Sequence, residues 1–122
     1  MSWKLSSDRP IYVQLEELIE KRILSGEYIL GERFPSVRDL ANEASVNPNT
    51  MQKAMQELER KGLIINNRTL GRTLTEDSSL LEDMRIQLAK KHFRVFLDEL
   101  KSLGYSEKDL PDFIHKECHI EH

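Results

Sequence analysis

The chain has 122 residues, 39% of them apolar, with one cysteine and a formal net charge of −3. That length holds one core, or one small domain with an appendage, and no apolar run approaches the roughly 20 residues of a membrane-spanning helix. Cys118 has no second cysteine to pair with, and Met1-Ser2-Trp3-Lys4-Leu5 lacks the apolar stretch of a signal peptide, so a cytoplasmic protein with no membrane partner is expected.

The first helix is expected to start near Arg9-Pro10, with Asp8 as cap and Pro10 in the first turn. Tyr12, Leu15, Ile19 and Ile23 recur at helical spacing as its buried stripe, and Gly26 ends it. A connector follows, with a turn at Gly31. Ser36 caps a short second helix whose inner face is Val37, Leu40 and Ala41, and Asp39 lies three residues after the cap. That helix stops around Ala44-Ser45-Val46. Asn47 as cap and Pro48 as first residue open a third helix, with Met51, Ala54, Met55 and Leu58 facing the core and Gly62 as the stop. Two helices joined by a turn of a few residues form a helix-turn-helix.

Leu63-Ile64-Ile65-Asn66 and Arg72-Thr73-Leu74-Thr75 flank the polar loop Asn67-Arg68-Thr69-Leu70-Gly71, the pattern of a β-hairpin. A hairpin directly after a helix-turn-helix is a wing. Glu76 to Ser79 reads as a polar hinge, and Ser79 with Glu82 as the capping box of a long fourth helix running to Leu103. This helix carries two apolar stripes: Leu81, Met84, Leu88 and Val95, then Ile86, Ala89, Phe93, Phe96 or Leu97, Leu100 and Leu103. A short fifth helix after Ser106 offers only Leu110, Phe113 and Ile114, enough for one stripe. The other stripe requires a second chain or the winged domain. The expected fold is mainly α with a small β-hairpin: an N-terminal winged helix-turn-helix over residues 1–75 and a C-terminal helical dimerisation tail over 76–122. Phe93, Phe96, Leu97 and Leu100 are the central dimerisation candidates.

The charge divides along the same line. Residues 1–75 hold 11 Lys and Arg against 10 Asp and Glu, a net of +1, and residues 76–122 hold 7 against 11, a net of −4. A net of +1 permits nucleic-acid binding without arguing for it, so the placement of individual cations must carry the argument.

Gly31-Glu32-Arg33-Phe34-Pro35-Ser36-Val37-Arg38-Asp39-Leu40-Ala41 resembles the GntR family of bacterial regulators. So do Val46-Asn47-Pro48-Asn49-Thr50-Met51-Gln52-Lys53-Ala54, Leu58-Glu59-Arg60-Lys61-Gly62-Leu63-Ile64, and Pro10-Ile11-Tyr12 at the head of an amphipathic helix. The resemblance covers roughly residues 10 to 75, and the short two-helix tail looks like that of the YtrA subfamily. It implies a sequence-specific DNA-binding transcription regulator, a repressor in this reading. The regulator would act as a homodimer on a palindromic operator in double-stranded DNA. An unidentified small-molecule effector is an allowed partner. The wing departs from the family pattern, in which a second glycine stands two residues before Gly71 and a Thr-aromatic pair follows it; here those places hold Thr69, Arg72 and Thr73.

DNA readers need cations and amides for phosphates and short polar or forked side chains for base edges. Arg38 lies off the inner face of the second helix and resembles a family arginine that contacts DNA; its bland alternative is an ion pair with Asp39 or Glu43. Asn49, Thr50, Gln52 and Lys53 surround the exposed start of the third helix, the end that enters a major groove. Gln52 stands where many family members place a DNA-contacting arginine. Asn47 is a DNA-binding candidate with a competing job as cap. Arg68, Thr69 and Gly71 form the wing tip and Arg72 follows, a set suited to a minor groove. His115, Cys118, His119 and His122 are the only metal-like cluster, expected to be a coincidence of a terminal helix, so no metal and no cofactor are expected. There is no phosphate-binding glycine loop and no nucleophile elbow, so no enzyme is expected. The rival reading is a winged-helix adaptor that binds protein without specific DNA binding. The near-neutral head favours it, and four cations expected on one surface (Arg38, Lys53, Arg68 and Arg72) stand against it.

Overall fold

The computed structural model describes residues 3–120. It runs α1 (Ile11–Leu24), α2 (Val37–Ala44), α3 (Pro48–Arg60), β1 (Ile64–Asn67), β2 (Gly71–Leu74), α4 (Ser78–Ser102), a 3₁₀ turn (Glu107–Asp109) and α5 (Leu110–Ile120). This is the mainly helical fold with one small hairpin that the periodicity predicts. Its contacts group into two compact units, residues 1–83 and 84–122.

In the first unit the apolar stripes meet as read. Leu15 and Ile19 of α1, Leu40 and Ala41 of α2, and Met51, Ala54, Met55 and Leu58 of α3 are buried. At about 25 cal/mol per Å² of apolar surface removed from water, these side chains are the main stabilising contribution to the unit. Tyr12 and Val37 are only half-buried. Phe34, in the connector, is buried and packs 4.6 Å from the Tyr28 ring.

Local chemistry sets the helix ends. The Ser36 hydroxyl accepts from the Asp39 N–H at 3.1 Å, and the Asn47 carbonyl oxygen accepts from the Asn49 N–H at 2.8 Å, so both expected caps are made. Ser45 takes a left-handed φ of 58° between α2 and α3, which closes the tight turn. Lys61, at the end of α3, binds Glu20 of α1 at 2.7 Å and also Glu16, tying the first and third helices. Burial pulls its pKa down, and the two carboxylates outweigh that and hold it above the ordinary lysine value.

Two caps differ from expectation. Asp8 does not cap α1; Pro10 occupies the cap position without a side-chain bond, and Asp8 accepts from the Ser6 hydroxyl instead. The chain before α1 is pinned by buried Gln14, whose amide donates to the carbonyls of Ser6 and Arg9 at 2.9 and 2.8 Å. α4 begins at Ser78, and the Asp77 carboxylate accepts from the Leu80 N–H at 3.0 Å, so Asp77 does the capping expected of Ser79 and Glu82.

The hairpin pairs Ile64 with Leu74 and Asn67 with Gly71 in an antiparallel register. The outer edge of β2 is covered by the connector. Phe34 N–H donates to the Arg72 carbonyl at 2.8 Å, Leu74 N–H to the Glu32 carbonyl at 3.0 Å, and Gly31 N–H to the Leu74 carbonyl at 2.9 Å. A β-hairpin alone is marginal in water, and a third edge is what holds this one. Gly31 has φ +77°, a backbone conformation that residues with a Cβ rarely adopt, so this turn favours glycine.

In the second unit, Leu100 and Leu110 are buried, and the Phe113 ring lies 6.5 Å from Phe96 and 5.7 Å from Tyr105. Ser106 and Asp109 form a capping box before α5. Ile86, Phe93, Val95, Phe96, Leu103, Tyr105 and Ile114 remain exposed in the single chain. Among the described residues no helix is long and apolar enough to cross a membrane.

Candidate nucleic-acid interface

The site is built from three elements of the first unit. α3 turns its apolar stripe inward, which leaves Asn47, Pro48, Asn49 and Lys53 exposed and Thr50 and Gln52 half-buried at its start. The helix N-terminus adds a partial positive charge and free amide groups, a setting that suits phosphate. The Lys53 ammonium lies 4.6 Å over the Tyr12 ring of α1. This contact holds the cation beside the helix start while leaving it exposed.

Arg38 sits on the outer face of α2 and is exposed. The ion pair with Glu43 that would have occupied it is taken. Arg22 binds Glu43 at 2.7 Å, and the Trp3 indole N–H donates to the same carboxylate at 2.6 Å. Those two bonds, Arg22 first, hold the Glu43 pKa below the ordinary carboxylate value. Arg38 makes no ion pair among the described residues, so its charge is available to a ligand.

At the wing, the Asn67 side chain accepts from the N–H groups of Thr69 and Leu70 at 2.9 and 3.2 Å, which stiffens the tip from within. Gly71 follows with φ +79°. Arg68, Thr69 and Leu70 are exposed at the tip. Arg72 is half-buried, and its guanidinium binds Glu59 of α3. Sequence reading missed this pair. Glu59 lies seven residues after Gln52, which puts both on one face of α3, but nothing in the sequence points that face at β2.

The connector between α1 and α2, α2, the wing and one residue of α3 line an open cleft of about 1040 Å³, whose wall also carries the carboxylates of Glu27, Glu32 and Asp39. Four of the expected site residues line it: Arg38 from α2, Gln52 from α3, and Gly71 and Arg72 from the wing. Arg33, not singled out from the sequence, lines it too. Asn47, Asn49, Thr50 and Lys53 lie outside that lining, at the start of α3, and Arg68 and Thr69 lie outside it at the wing tip.

Residues 11–72 match the family model described as bacterial regulatory proteins, gntR family. The chain belongs to the GntR family. Among curated relatives, the uncharacterized HTH-type transcriptional regulator YhcF of Bacillus subtilis is 30% identical over 110 residues, covering 90% of this chain and 91% of that one. The HTH-type transcriptional repressor YtrA of the same organism is 31% identical over 109 residues, covering 88% and 84%. Among solved structures, a GntR family transcriptional regulator from Listeria monocytogenes superposes with a TM-score of 0.83 at 34% identity, over 92% of this chain and 98% of that one. Family, winged helix-turn-helix fold and YtrA-like short form therefore agree with the sequence reading, and the chain is a transcription regulator of the DNA-binding GntR kind.

The GntR tail also carries the histidines. The His115 and His119 rings pack at 4.1 Å, and Cys118 is exposed. Among the described residues no group of three or more His, Cys, Asp or Glu is placed to hold a metal ion. His122 lies outside the described residues.

Proposed function

We propose that this GntR regulator is a sequence-specific repressor that binds a palindromic operator as a homodimer. The observation that carries the reading is the shared cleft. Arg38 and Gln52 line it with the base of the wing, and the exposed start of α3 with Asn47, Asn49 and Lys53 stands outside its lining; the free cations Arg38 and Lys53 with these short polar groups suit phosphates and base edges. In this reading Gln52 reads a base, and Asn49, Thr50 and Asn47 contribute from the same helix end. Lys53 and Arg38 hold phosphates, and Arg68, Thr69 and Gly71 bring the wing tip to the adjacent groove. The repressor role is supported by the likeness to YtrA, a repressor by description.

The homodimer reading is supported by the tail. Phe93 and Phe96 are exposed there and Leu97 is half-buried, an apolar surface of the kind that marks a partner face. Leu100 is already buried, so of these four residues Phe93 and Phe96 are the exposed ones. A two-fold dimer presents two reading heads, which is what a palindrome requires.

The test is binding to duplex selected from random DNA by the full chain. Lys53→Ala should weaken binding to every duplex and lower the salt slope by about one unit. Gln52→Ala should relax preference at one base position, by about 1–3 kcal/mol. Parent-like binding by both variants on that duplex would refute the assignment of α3 as the reading helix.

A further inference from the structure

We infer that Arg72 is a positioning residue: it clamps the wing to the reading helix α3 through Glu59, rather than serving as a phosphate contact. The inference rests on the reading above that α3 and the wing meet DNA together, and it adds how their relative placement is fixed.

Arg72 is tied to two other elements of the site at once. Its backbone carbonyl accepts from the Phe34 N–H at 2.8 Å, which joins β2 to the segment leading into α2. Its side chain binds Glu59 on α3. Towards the tip only the pair Asn67–Gly71 remains in the ladder. Arg72 is thus the last wing residue held to the body of the head. Everything beyond it, Arg68 and Thr69 included, leaves from the point where Arg72 adds a side-chain tie to α3 to the connector's bonds along β2.

Electrostatics support the same role. Glu59 shares a face of α3 with Gln52, two helical turns further on. A free carboxylate on that face would repel the DNA backbone. Both side chains of the pair are about three-quarters buried, at 25% and 26% exposure, so neither has the freedom of the exposed wing-tip arginine. The guanidinium therefore neutralises Glu59 and holds the hairpin against the helix with one bond. A pair removed from bulk water in this way is less screened than a surface ion pair.

The experiment measures binding of the full chain to duplex selected from random DNA, as a function of salt, for the parent, Arg72→Gln, Glu59→Gln and the exchanged pair Glu59→Arg with Arg72→Glu. Each single variant should weaken binding on the order of tenfold, the size of coupling seen between contacting residues. The salt slope should stay within about half a unit of the parent, since no phosphate contact is lost. The exchanged pair should recover most of the loss, because the clamp is restored with its charges reversed. A fall of about one unit in slope with Arg72→Gln would overturn the inference, as it would mark a released phosphate contact. Tighter binding by Glu59→Gln would also overturn it, by showing that Glu59 only withholds the arginine from DNA. So would an exchanged pair that binds no better than Arg72→Gln. A parent chain that selects no duplex at all would refute the DNA-reading assignment itself, a result distinct from all three.

Discussion

The two units of this regulator solve the burial problem differently. In the head, α1, α2 and α3 bury one another's stripes, and side chains such as Leu15, Met51 and Leu58 reach zero exposure within a single chain. In the tail, α4 and α5 bury Leu100 and Leu110 but leave Phe93, Val95, Phe96, Leu103 and Ile114 exposed. Three helices with a stripe each can close a core; a helix with two apolar faces and one short neighbour cannot. The head thus closes its own core, and the tail leaves an apolar face open.

The largest expected contrast comes from one substitution in each unit. Leu58→Ala removes a fully buried side chain and should lower the denaturation free energy of the head by about 2–5 kcal/mol. Phe93→Asp should leave the helical circular dichroism and the head's unfolding midpoint unchanged, while shifting sedimentation from dimer to monomer at micromolar concentration. A dimer that survives Phe93→Asp would move the interface out of this face of the tail. Asn47→Ala should cost about 0.5–2 kcal/mol of head stability through loss of the α3 cap, measured by thermal melting. An unchanged melting curve with lost DNA binding would make Asn47 a reader alone.

The smallest effect is one of pH. The Glu43 carboxyl is held below its ordinary pKa by Arg22 and then Trp3, so its contribution to folding is complete above the ordinary carboxylate value and is lost as pH falls through the lowered one. Trp3 is the only tryptophan, so its fluorescence reports this cluster directly. An acid transition should appear below the ordinary carboxylate range in the parent, and Glu43→Gln should abolish it. A transition of equal size in that variant would assign it to other carboxylates.

Much of the head was legible because its signals are local. Residues spaced three and four apart mark the inward faces of the helices, and Ser36, Asn47 and Pro48 act on amides within their own first turn. The same locality explains the misses. Asp8 and Ser79 are chemically able caps, but Gln14 and Asp77 hold those chain segments. The connector reads as a turn at Gly31, yet it becomes the third edge of the wing because Phe34 is buried and carries its neighbours onto β2. Of the candidate site, the exposed residues of α2 and α3 were readable as positions that fall off the stripes. The Glu59–Arg72 pair was not, since a bond between side chains 13 residues apart on two elements leaves no periodic trace. The cleft itself follows from the connector meeting α2, α3 and the wing, and only their separate faces are written in the sequence.

In the proposed regulator a reading head with its own core is paired by its tail. Parallel selection from random duplex DNA, by the full chain and by residues 1–83, tests it most directly. The full chain should enrich two inverted half-sites with centres about 10 bp, or a multiple of that, apart. The head alone should enrich a single half-site, bound about 10²- to 10⁴-fold more weakly than the palindrome. Enrichment of the same palindrome with equal affinity by residues 1–83, or of no sequence by the full chain, would contradict it.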